Sequence, residues 1–231
     1  MKQKKEKLII YGDSKYAQML GSYFQKDSIY EVVAFCVDRD YRTRDEIDGK
    51  KVIDLEDIEK HFSKDYYIFS AIGYNSVRTH KVLFEKIASL NFPIASYISS
   101  KALIDSSSKI GRNSLILPGV IIEPNVVIEE NCFINSGAII SHDARIKAHS
   151  ILAAGSIIGG YATIGEASLI GFNATVTELV EVADETLLGA GSVLLENSKK
   201  ATTYVGTPAR AIREHSDTGV ILAPQKNKLK G

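Results

Sequence analysis

The stretch Ile134-Asn135-Ser136-Gly137-Ala138-Ile139-Ile140-Ser141-His142-Asp143-Ala144-Arg145-Ile146 repeats its own pattern, with an aliphatic residue at 134, 140 and 146 and a small one, Ala138 and Ala144, four places after each of the first two. The register extends back through Ile128, Ile122, Ile116, Ile110 and Ile104, and forward through Leu152, Ile158, Ile164, Ile170, Val176, Val182, Leu188 and Leu194. Sixteen consecutive matches are more than composition produces in a chain that is 45% hydrophobic. A period of six is neither helical nor the simple alternation of a strand. It fits one face of a triangular coil of short parallel strands and tight turns, three such faces making one rung.

Small residues support this solenoid. Ser114, Cys132, Ser150, Ser156, Ala162, Ser168, Ala174, Thr186 and Ser192 share the place of Ala138, so large and small side chains alternate into a narrow interior. Gly111, Gly159, Gly165, Gly171 and Gly189 directly follow the aliphatic residue and are expected where the backbone bends sharply. The coil is assigned to residues 100–213. Its closing segment, Tyr204-Val205-Gly206-Thr207-Pro208-Ala209-Arg210, contains a proline that argues against a further strand. Residues 214–231 form a polar tail, expected to be mobile.

Residues 1–99 read differently. Apolar runs at Leu8–Tyr11, Val32–Val37, Tyr66–Ile72 and Ile94–Ile98 alternate with stretches of helical spacing after Ser14, near Leu55 to His61 and from Val77 to Leu90. That order implies a small parallel α/β sheet of Rossmann-like type, with ligands bound beyond the carboxyl ends of its strands. Those ends are Gly12 to Tyr16, Asp38-Arg39 and the loop from Gly73. The first loop, Gly12-Asp13-Ser14-Lys15-Tyr16-Ala17, is no dinucleotide fingerprint, because Lys15 and Tyr16 stand where glycines would admit a pyrophosphate. An NAD-dependent enzyme is therefore disfavoured. A helix N-terminus with Ser14 and Lys15 suits a phosphate, and equally a plain N-cap with a solvated lysine.

Lysines and arginines number 28, as do aspartates and glutamates, so no basic field points to nucleic acid or an anionic membrane. The apolar run after the basic start is too short for a signal sequence or a membrane span, and a cytoplasmic location is expected. Cys36 and Cys132 read as buried free thiols. No metal is expected, since the five histidines show no ligand cluster beyond the pair His142 and His149. His149 reads first as a surface or inter-subunit residue.

His142 lies two places after the inward Ile140, on a turn and accessible. A histidine there can take a proton near neutral pH, and Asp143 would stabilise its charged form if the two side chains meet. The bland alternative is a surface histidine in a loop.

With the hexapeptide run, the small α/β domain, Asn135, His142-Asp143 and the closing Val-Gly-Thr-Pro-Ala, the chain resembles the left-handed β-helix acyltransferases. Within them it is similar to the sialic acid O-acetyltransferase and nucleotide-amino-sugar N-acetyltransferase family, the NeuD/PglD type. The resemblance implies an acetyl-CoA-dependent N-acetyltransferase of a nucleotide-linked amino sugar in bacterial glycan or surface polysaccharide synthesis. O-acetylation of a sialic-acid-like sugar is the alternative within that chemistry, and a non-catalytic trimeric scaffold the alternative outside it. The resemblance makes His142 the general base, Asp143 the acid that raises its basicity, and Asn135 a holder of acceptor or oxyanion. It places acetyl-CoA along the coils in the cleft of a homotrimer, against Ile151, Phe172 and Ala190 with Gly160, Gly171 and Gly189 nearby. It puts the nucleotide-linked sugar at Ser14, Lys15, Tyr16, Asp38, Arg39 and Gly73.

Overall fold

In the computed structural model, residues 5–72, 76–215 and 219–221 are described. The α/β part comprises β1 (Glu6–Tyr11), α1 (Lys15–Lys26), β2 (Tyr30–Val37), β3 (Glu46–Ile47), β4 (Lys50–Asp54), α2 (Ile58–His61), β5 (Tyr67–Ser70) and α3 (Val77–Ala88). The strands form one sheet in the order β3-β4-β2-β1-β5, parallel except for the β3–β4 pair. The interior strand β1 is buried from Leu8 to Tyr11, as a strand covered on both faces must be. Helix α1 starts at Ser14, whose hydroxyl accepts from the Ala17 amide at 3.2 Å, and it buries Ala17, Leu20 and Phe24 on one face.

Ile94–Ile98 does not form one more strand of this sheet. Ile94 makes a single bridge to Ile68, while Tyr97–Ile98 pairs with Leu115–Ile116 and so opens the coil. From there two-residue strands recur every six residues and pair in parallel with those eighteen residues away, for example Ile121 with Ile139 and Ile139 with Ile157. The result is a left-handed parallel β-helix. Its interior is the predicted one: Ile116, Ile134, Ile140, Ile146, Leu152, Ile158, Ile164 and Ile170 are fully buried, as are Ser114, Ala138, Ser150, Ser156, Ala162 and Ser168.

The glycines serve a different purpose from the one expected. The sharp bend falls two residues later, at fourteen consecutive left-handed positions from Asn113 through Asn125, Asn131, Asp143 and His149 to Gly191, spaced six apart. Gly111, Gly159, Gly165 and Gly171 lack left-handed torsions. They are glycines because the next coil is too close: a Cβ on Gly159 would stand 2.4 Å from the Glu178 amide nitrogen, and one on Gly165 2.4 Å from the Ala183 carbonyl carbon. Gly189 is similarly constrained by Val205, at 2.8 Å.

The three outer faces of the coil differ. One carries Leu115, Phe133, Ile151, Leu169 and Leu187 and is covered by the α/β sheet and α3, sharing a core with Leu8, Phe24 and Phe69. A second, with Lys109, Val127, Arg145, Thr163 and Glu181, is charged and open. The third, with Leu103, Ile121, Ile139, Ile157, Thr175 and Val193, is mostly apolar and uncovered, Leu103 being 68% and Ile157 41% exposed. Ion pairs rim the covered face, Arg78 with Glu185 and Lys81 with Glu166, both at 2.6 Å. Partly exposed pairs contribute only about 0–1 kcal/mol each. A fully buried Phe or Ile contributes about 1.5–3 kcal/mol, so apolar burial dominates this junction.

A strand does follow Pro208. Thr202–Val205 extends the covered sheet and Arg210–Glu214 returns antiparallel to it, with Pro208 in the connection, where no ladder N–H is required. Of the residues expected to be mobile, 216–218 and 222–231 lie outside the described residues. Those between are docked: Val220 is 1% exposed and its carbonyl accepts from the Val77 amide, while Ile221 bridges Ser76. Both cysteines are buried and free, and burial pushes the Cys132 thiol up to about 12. Among the described residues no helix is long and apolar enough to cross a membrane.

Candidate active site

The corner between the apolar and the charged face carries Glu123, Asn125, His142, Asp143, Gly160 and Tyr161 on three successive coils. Here the side chains of His142 and Asp143 do meet. His142 Nδ1 lies 3.1 Å from Asp143 Oδ2, and Asp143 Oδ1 accepts from Asn125 Nδ2 at 3.2 Å. A carboxylate only accepts, so the imidazole proton sits on Nδ1 and Nε2 presents its lone pair. Asp143 reaches back to its neighbour because it occupies a left-handed position, φ 60°, on the tight turn. The His142 amide donates to Glu123 Oε2 at 2.9 Å, which anchors the backbone from the preceding coil. Tyr161 stands edge-on to the imidazole, 5.3 Å between centroids and 86° between planes. The His142 side chain remains 46% exposed, accessible to a substrate.

Gly160 forms the seat of this histidine. A Cβ there would lie 2.8 Å from His142 Cε1 and 2.9 Å from Nε2, so only glycine lets the ring rest against the next coil. Tyr161, Glu123 and Asn125 are site residues that linear reading missed. Their signal was present in the eighteen-residue spacing, which stacks 125, 143 and 161.

The other expected residues fall elsewhere. Asn135 stands at the preceding corner, on the far edge of the apolar face, where its amide donates to the Leu152 carbonyl at 2.9 Å. Gly171, Phe172, Gly189 and Ala190 stack above it on the same corner, with Phe172 63% exposed. Ile151 is a correction: its side chain is 1% exposed beneath the α/β sheet and cannot touch a ligand lying on the outside of the coil. His149 is also buried, 5% exposed, not a surface residue.

A cavity of about 670 Å³ opens at the carboxyl ends of β1 and β2. Its walls include Ser14, Lys15, Tyr16 and Asp38 as expected, and also Tyr11, Tyr41, Ile72, Thr79 and Leu83. Asp38 is held by the Tyr11 hydroxyl at 2.6 Å and by Lys86, and Asp13 accepts from both the amide and the hydroxyl of Thr43. Burial beside Asp38 pushes the Tyr11 phenol far up, so it stays a donor. Arg39 is a second correction. Its guanidinium turns away to Asp54 and Asp57, at 2.9 and 3.0 Å, and lines no part of this cavity. Gly73 lies outside the described residues. No group of His, Cys, Asp and Glu among the described residues is placed to hold a metal.

Residues 7–86 match the family model described as the PglD N-terminal domain, and residues 98–207 match that of the GMPPB C-terminal domain. A mutant of GDP-perosamine N-acetyltransferase from Caulobacter crescentus, in complex with CoA and GDP-perosamine, is similar at 25% identity and a TM-score of 0.79, over 90% of this chain and 97% of that one. The fold is that of the PglD-type acetyltransferases. The acetyltransferase domain of PglB from Neisseria gonorrhoeae FA1090 shares it at 24% identity and a TM-score of 0.80, over 90% of this chain and 100% of that one. WeeI from Acinetobacter baumannii AYE, 16% identical with a TM-score of 0.60, aligns over 90% of this chain and 100% of its own. In this PglD-type frame the cavity belongs to the α/β part and the histidine to the coil.

Proposed function

We propose that this chain is an acetyl-CoA-dependent N-acetyltransferase acting on a nucleotide-linked amino sugar in bacterial glycan synthesis. The observation that carries the chemistry is the His142–Asp143 pair, with Nδ1 donating to the carboxylate on a side chain that remains 46% exposed. The similar enzyme from Caulobacter crescentus, bound to CoA and GDP-perosamine, supports the substrate class. The acceptor amine attacks the thioester carbonyl while Nε2 takes its proton. The tetrahedral intermediate then collapses, expelling the CoA thiolate, and the imidazolium returns the proton to it. Asp143 stabilises the imidazolium, and Asn125 keeps Asp143 turned toward it. The nucleotide occupies the cavity beside Ser14, Lys15 and Asp38, where the α1 N-terminus and one lysine favour phosphate.

The active unit is a homotrimer. Asn135, Phe172 and Ala190 stand one face away from His142, so a single copy does not bring them together, whereas packing of apolar faces against neighbouring copies would juxtapose unlike corners. The uncovered stripe of Leu103, Ile121, Ile139 and Ile157 supports this assembly. Acetyl-CoA then lies in the cleft, along Gly171, Phe172, Gly189 and Ala190. Steady-state assay of His142→Ala with acetyl-CoA and a panel of UDP- and GDP-linked amino sugars tests the base. A fall in kcat of about 10²–10⁴-fold is expected, and near-wild-type turnover removes His142 from the role. A scaffold without catalysis would show no rise in Tm with saturating acetyl-CoA, whereas an enzyme gains stability by mass action.

A further inference from the structure

A line of buried polar side chains runs through the junction between the α/β sheet and the coil, outside both sites described above. The Ser70 amide, at the end of β5, donates to Asn113 Oδ1 at 2.8 Å. Asn113 Nδ2 donates to Asn131 Oδ1 at 2.7 Å, and Asn131 Nδ2 reaches His149 Nδ1 at 3.0 Å. Asn113, Asn131 and His149 occupy the same left-handed position on three successive coils, φ 53°, 56° and 63°. One fixed donor, the Ser70 N–H, therefore orients every member: each amide must accept on one side and donate on the other, and His149 must end the line as a neutral acceptor. Helix α3 joins in through both the side chain and the backbone of His80, because its Nε2 donates to the Asn131 carbonyl at 3.2 Å and its carbonyl lies 3.4 Å from Asn131 Nδ2.

Both ends of this line are attached to elements that wall the cavity. β5 continues through Ala71 to Ile72, a wall residue, and the Ala71 carbonyl is so near Gly12 that a Cβ there would stand 3.1 Å from it. On α3, Thr79 and Leu83 face the cavity while His80 and Phe84 face the coil, His80 against Phe133 and Phe84 against His149. Apolar packing alone tolerates sliding; a directional chain of hydrogen bonds in a buried setting does not.

We infer that Asn113, Asn131 and His149, with His80, are positioning residues that lock the cavity's β5 and α3 walls to the coil and so set the affinity for the nucleotide. The inference rests on the reading of that cavity as the nucleotide site. His149→Leu breaks the end of the line at a backbone position that Leu179 shows a leucine can occupy, φ 64°. His149→Asn offers an amide oxygen to Asn131 and extends the ladder. Calorimetric titration of the full chain with UDP, GDP and, separately, acetyl-CoA reads the effect. In His149→Leu the nucleoside diphosphate Kd is expected to rise at least fivefold while that of acetyl-CoA stays within twofold, and His149→Asn is expected to restore the first. Unchanged nucleotide affinity in His149→Leu overturns the inference, as does a parallel fall in both affinities. Should the wild-type chain bind acetyl-CoA but neither diphosphate, the reading of the cavity fails and this inference with it.

Discussion

At the scale of single residues, His142, the proposed base, is held by contacts from three coils. Asp143→Asn would keep the shape of the turn but remove the negative charge that stabilises the His142 imidazolium and, with Asn125 Nδ2 claiming the amide oxygen, turn an NH2 donor toward His142 Nδ1. A drop in kcat of about 10–100-fold is expected, comparable to loss of an orienting partner elsewhere, with kcat–pH profiles as the check. Gly160→Ala tests the seat of the ring. Its backbone has no left-handed torsion to strain, but the new methyl would overlap His142 at 2.8 Å. Displacement of the ring by about 1 Å corresponds to about a 10²-fold loss, with Tm barely changed, and kinetics beside a melting curve separate the two. His142 and Asp143 were legible because the repeat places them on a turn. Tyr161 and Glu123 were not, since neither has a local feature that marks it until the coil brings Tyr161 edge-on to the imidazole and Glu123 to the His142 amide.

At the scale of elements, two kinds of glycine should respond differently. Gly165→Ala drives a methyl into the backbone of the next coil, whereas Gly191→Ala meets open space and only the cost of φ 67°. Denaturant titration should find the first destabilising by more than about 2 kcal/mol, within the range of overpacking, and the second by about 1 kcal/mol, the left-handed penalty. On the uncovered face, Ile139→Lys and Ile157→Glu introduce charges that a buried interface does not tolerate. Sedimentation is expected to show loss of the proposed trimer while each chain keeps its β signal by circular dichroism. A variant that remains trimeric would put the interface elsewhere.

For the whole molecule, the junction ties stability to pH. Burial pushes the His80 imidazole down to about 4. The unfolded chain therefore binds a proton there more readily than the folded one between pH about 6.5 and about 4. Stability is complete above that window and declines as the pH falls through it, by about 2 kcal/mol between pH 7 and 5 from this group alone. Burial lowers His149 in the same direction. In His80→Gln, which keeps a donor without titrating, Tm should fall less steeply over that interval; an unchanged slope would assign the acid sensitivity to other groups.

Periodicity was enough to read the coil from Ile104 to Leu194, because an aliphatic residue every six positions has only one packed solution. Alternating apolar runs likewise conveyed the α/β sheet, and the turn position conveyed His142. Which outer face is covered was decided only by the tertiary structure. Ile151 and Ile157 are both outward isoleucines at equivalent repeat positions, yet one is buried under the α/β sheet and the other is exposed. Arg39 was drawn away from the cavity by Asp54 and Asp57, fifteen and eighteen residues on, and His149 was buried by a helix that begins seventy-two residues before it. A repeat determines what points inward, since that depends on neighbours at fixed spacing. What covers the outside depends on distant segments, and no local pattern encodes them.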